Sequence, residues 1–132
     1  MAEFKFKSEI IDIVISVTRG EKDGSESRKD LTFSCNPKNY VLNKQILSTG
    51  KALVDLLDKE YTVETLDTIY MVIEKLFSMM APGKVQEYLD FLEGDIGNLA
   101  RLALEMVRAY RSRSTEELSN QIAPRKADGE TV

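Results

Sequence analysis

The stretch Thr62–Met80, TVETLDTIYMVIEKLFSMM, reads as a helix with an unusually broad apolar side. Val63, Leu66, Ile69, Tyr70, Val72, Ile73, Leu76, Phe77 and Met80 recur at three- and four-residue steps, so at about 3.6 residues per turn they share one face. Asp67, Thr68, Glu74 and Lys75 fall on the other side. The apolar side spans roughly 180°, against the ~100° that a helix lying on a core requires. A stripe that wide needs cover from more than one direction, which makes this the expected central helix. Thr62 is its natural N-cap and Glu64 suits its positive end.

The flanking segments supply that cover. After the central helix, Pro82-Gly83 is a stop. A short helix is expected over 84–93, with Val85, Tyr88, Leu89 and Leu92 inward. Gly94 ends it and Asp95 caps a last helix from Ile96 to about Ser112, burying Ile96, Leu99, Ala100, Leu102, Ala103, Met106, Val107 and Tyr110. Before the central helix, 40–59 form another amphipathic helix centred on Leu42, Ile46, Leu53, Leu56 and Leu57. Gly50 within it costs about 1 kcal/mol relative to alanine, which points to a kink or to a close neighbour, expected to be backbone.

From Glu3 to Cys35 the period changes to two. In IIDIVISVT, 10–18, Ile11, Ile13, Ile15 and Val17 face one way, with Asp12, Ser16 and Thr18 opposite; Ile10 and Val14 sit awkwardly on that polar side. Leu31, Phe33 and Cys35 alternate with Thr32 and Ser34 in a second strand. GEKDGSES, 20–27, reads as a mobile hairpin loop, and Phe4-Lys5-Phe6-Lys7 as an extension of the first strand or a short third one. Asn36-Pro37 breaks the sheet. The expected fold is thus α+β and mainly helical. An N-terminal β-hairpin (3–35) packs on a bundle of about four helices (40–112) in one globular domain, 1–112, and a disordered polar tail covers 113–132.

Composition narrows the function. The chain has 132 residues, one domain by length, with 42% apolar and 30% charged residues. Charges interrupt every apolar run well before ~18 residues, so no membrane span is expected, and MAEFKFKSEI lacks the apolar core of a signal peptide. Cys35 is the single cysteine, so no internal disulfide can form and a reducing cytoplasm is the default. Its alternation with Leu31 and Phe33 makes it a buried strand residue. The net charge of −4 lies between Tyr61 and Tyr110. There Lys75, Lys84, Arg101 and Arg108 stand against Glu64, Asp67, Glu74, Glu87, Asp90, Glu93, Asp95 and Glu105, four against eight. That acidic surface repels phosphate backbones and argues against nucleic-acid binding.

Chemistry is hard to find. With no histidine, the commonest general base and metal ligand is missing. Ser48-Thr49-Gly50-Lys51 fails as a phosphate loop, because Gln45 and Ala52 occupy the positions where glycine and a hydroxyl are needed. Asp90, Glu93 and Asp95 match no calcium-loop spacing and read as a solvated helix end. No catalytic, metal or cofactor residue is expected, and an enzyme is not. What remains is surface. Tyr40, Met71, Met79 and Phe91 are apolar groups that the internal pattern does not use, and methionines and aromatics suit adaptable protein-binding faces. Such a surplus could equally serve a homo-oligomer.

The layout resembles the small tail assembly chaperones of long-tailed bacteriophages that infect Gram-positive bacteria. The likeness rests on the strand IIDIVISV with its partner LTFSC, the helix NKQILSTGKALVDLLDKE, the central helix ending at Pro82-Gly83, and the block KVQEYLDFLEGDIGNLARLALEMVRAY. It covers about 4–112 and is one of pattern. The resemblance implies a non-enzymatic chaperone in the bacterial host's cytoplasm, binding the helical tape measure protein, keeping it soluble and helping to recruit tail tube protein. The mode would be helix-in-groove recognition. A virion structural subunit of the tail or head-tail connector, and an antitoxin- or immunity-type regulator, are the alternatives.

Overall fold

The element order is β1 (Ile11–Gly20), β2 (Glu26–Cys35), α1 (Tyr40–Leu57), α2 (Val63–Met80), α3 (Val85–Phe91) and α4 (Ile96–Glu130). A computed structural model describes the backbone of 2–7 and 9–130, and the side chains of 2–7 and 9–115. The fold is α+β, an antiparallel two-stranded hairpin on four helices.

α2 is the centre, as its stripe requires. Ile69, Ile73, Leu76, Phe77 and Met80 are buried, and Leu66, Tyr70 and Val72 are half-buried. Val63 departs from expectation: it lies in the first turn, beyond the reach of the core, and is exposed. Thr62 caps α2, its hydroxyl accepting from the Thr65 amide at 3.1 Å. Asn39, unnoticed in the sequence, caps α1 in the same way through the Leu42 amide at 3.0 Å. Asp95 caps α4 through the Asn98 amide at 3.2 Å. Gly83 and Gly94 turn the chain at φ of +82° and +66°, a conformation that glycine adopts without strain.

The hairpin lays its inner face on α2 and α4. Phe33 joins Phe77 and Tyr88, with ring centroids 5.8 and 5.4 Å away, in an aromatic cluster between sheet and helices. Leu31, Phe33 and Cys35 are fully buried. The turn is tighter than its sequence suggests. The strands run to Gly20 and from Glu26, leaving five residues, closed by the Glu21 amide on the Ser25 carbonyl at 2.8 Å. Asp23 accepts from the Ser25 amide and hydroxyl, which holds its carboxyl below the usual range.

Phe4–Lys7 neither extends β1 nor forms a third strand. The ladder opens with Ile11 opposite Cys35, the last residue before Asn36-Pro37, so earlier residues have no partner strand on that side. Gly50 does mark a close approach, but by a side chain: a Cβ there would meet Val107 Cγ1 at 2.7 Å. α4 continues past the expected end near Ser112 to Glu130. Residues 113–123 contain no glycine or proline and several good helix formers, so nothing local stops the helix before Pro124. The disordered tail expected at 113–132 falls largely where side chains, from residue 116, lie outside the described residues, as do Thr131 and Val132 entirely.

Candidate functional site

The exposed large apolar residues are unevenly distributed. Tyr40, Val41, Val54, Tyr61, Val63 and Met71 lie on α1, α2 and the corner between them, and Phe4, Phe6, Ile10 and Val14 on the N-terminal segment and β1. Among the described residues none lies on α3 or α4. By chain position they form two groups, one on the α1–α2 pair and one on the N-terminal segment and β1.

On the helical surface, Met71 is 67% exposed. Its neighbours one turn away on either side are Asp67, Thr68, Glu74 and Lys75, so it stands as an apolar knob in a polar frame. Val63 lies eight residues earlier, about 12 Å along the helix axis and about 80° around it, at the margin of the core-facing stripe. Tyr61 packs into the corner, donating its hydroxyl to the Leu57 carbonyl at 2.7 Å. Tyr40 is 74% exposed at the start of α1. Met79 is half-buried against the core and contributes only an edge.

Phe91 belongs elsewhere. It lines a groove of about 510 Å³ between the turn-proximal half of β1 and the start of α4, with Ile15, Val17, Arg19, Leu102 and Glu105. The Arg19 guanidinium lies 4.8 Å from its ring centroid and the Lys29 ammonium 5.7 Å. Arg19 also donates to Glu21 at 2.9 Å and to the Phe91 carbonyl at 3.1 Å. Lys29 pairs with Glu87 at 2.7 Å, tying the hairpin to α3 and holding the Glu87 carboxyl below its ordinary value. Bonds from Ser27 and then Arg19 do the same for Glu21. The groove contains none of Tyr40, Met71 or Met79, so the four sequence candidates do not form one site.

The acidic trio is dispersed into structural roles. Asp90 accepts from Gln86 at 2.8 Å, Asp95 caps α4, and Glu93 approaches Arg19 at 3.8 Å. Among the described residues no group of three or more metal-ligating side chains is gathered, and no helix is long and apolar enough to cross a membrane. The sheet edge is what the sequence reading missed. Its signal was Val14 on the polar side of β1, with Ile10 just before the strand in the same alternation; they are 56% and 63% exposed. Comparison with protein-family models, curated proteins and solved structures finds no match for this chain.

Proposed function

We propose that this protein is a non-enzymatic binding protein that covers an apolar helical segment of a client, in the manner of the phage tail assembly chaperones its sequence resembles. The client would be the tape measure protein, engaged before tail tube assembly in the cytoplasm of a bacterial host. The observation that carries the reading is that exposed apolar groups gather on α1, α2 and the corner between them while the core is closed. Val63 and Met71, about 12 Å apart along the α2 axis, match anchors at i and i+7 or i+8 on a helix lying alongside α2. Asp67 and Glu74 around them would favour a client helix with lysine or arginine flanking its apolar stripe.

The test is co-expression with a tape measure protein encoded beside this chain. The wild-type protein should hold that client in the soluble fraction. A client that precipitates equally with and without it would remove the proposal's support.

A further inference from the structure

We infer that the free edge of β1 is a self-recognition site, where a second copy of this chain adds its own β1 antiparallel about Val14 to make a continuous four-stranded sheet. The starting point is the hydroxyl of Tyr88. It accepts from the Thr32 amide at 2.9 Å and donates to the Thr32 carbonyl at 3.0 Å. Both backbone groups of Thr32 therefore point away from β1, and Thr32 with its partner Val14 forms a non-hydrogen-bonded pair. Antiparallel ladders alternate, so the amides and carbonyls of Asp12, Val14, Ser16 and Thr18 all point outward along the opposite edge. Among the described residues no hydrogen bond from another element reaches them.

The two edges of the hairpin are thus treated differently. Tyr88 closes the β2 edge, which also carries Arg28 and Asp30. Ile11–Thr18 has no proline, lysine, glycine or bulge, the usual devices that keep an edge from pairing. Its one charge is Asp12.

Register identifies the occupant. With Val14 facing Val14 of the second copy, Asp12 falls opposite Ser16 on the outer face. On the inner face Ile13 meets Ile15 and Ile11 meets Val17. Within the strand apolar residues face apolar ones and the one carboxylate faces a hydroxyl. A shift centred on Ile13 sets Asp12 against Val14; one centred on Ile15 sets Ile11 against Arg19; one centred on Asp12 sets it against itself. Of these four registers the Val14-centred one sets no strand charge against an apolar side chain or a like charge. The groove also fits: Ile15–Gly20 line it, so antiparallel pairing brings Ile11 of each copy, opposite Val17, to the other's groove.

The test uses the full chain. Sedimentation equilibrium should show a dimer, and Val14→Lys, which sets two like charges face to face, should weaken dimerisation by about tenfold or more with an unchanged circular dichroism spectrum. Val14→Cys should form an intermolecular disulfide on mild oxidation, while Ser16→Cys and the wild type, whose Cys35 is buried, should not. A chain that is monomeric at every concentration overturns the inference, as does a dimer indifferent to Val14→Lys or crosslinked equally through Ser16→Cys. A monomer in which Val14→Lys instead abolishes capture of the tape measure protein would assign the edge to a client strand, also against it.

Discussion

Gly50 sits where α1 meets α4, and its missing side chain is what lets Val107 in. Alanine there would gain up to about 1 kcal/mol of helix propensity. Its Cβ, however, would stand 2.7 Å from Val107 Cγ1 and 3.2 Å from Cγ2. A β-branched side chain on a helix has one strongly preferred rotamer, so Val107 cannot swing aside and the helices must part. Overpacking of this kind costs about 1–3 kcal/mol, so Gly50→Ala should lower stability by roughly 1 kcal/mol net in urea denaturation, and Val107→Ala in the same chain should recover part of the loss. Tyr110 makes a pH prediction. It is buried, its hydroxyl bonds to Asn43, and burial, then the nearby Cys35, push its pKa from 10.0 to about 12. Below pH 10 the phenol is neutral folded or unfolded and the full stability is present. Between 10 and about 12 the unfolded chain ionises first, so stability should fall through that window, and Tyr110→Phe should flatten the fall. The glycine was legible in the sequence as a misfit in an apolar stripe. The partner on Val107 was not, because helix pairing is decided by tertiary packing rather than by period.

The hairpin shows the same division at the scale of elements. Alternation over 10–18 and 31–35 marked both strands and their inner faces, since one buried face imposes a strict period of two. The five-residue turn was obscured because GEKDGSES is polar throughout, whereas the ladder runs on to Gly20 and Glu26 through backbone bonds that composition does not report. Tyr88 was recognised as an inward residue of α3, but its second role is a matter of distance: one hydroxyl satisfies both backbone groups of Thr32. Tyr88→Phe should leave them unpaired beside the aromatic cluster, lowering stability by about 1–3 kcal/mol. It should also speed amide exchange at Thr32 relative to Phe33, which tests the bond separately from the ring's packing.

For the molecule as a whole, the central issue is where the apolar excess goes. The core closes around α2 with every buried side-chain polar atom among the described residues partnered, so the fold is complete without using Met71, Val63 or Tyr40. The broad stripe of the central helix and the surplus at Tyr40 and Met71 were readable from spacing. That Phe91 would be drawn into a separate groove by Arg19 and Lys29 was not, because those cations come from the hairpin, far off in sequence. Surface substitutions outside the core usually change stability by less than about 0.5 kcal/mol, so Val63→Lys with Met71→Lys should leave the melting temperature nearly unchanged. The most direct measurement compares the soluble fraction of a co-expressed tape measure protein beside the wild-type chain and beside this double variant. A client held in solution by the first and lost with the second is the predicted result; a client equally soluble with both, or with neither, contradicts it.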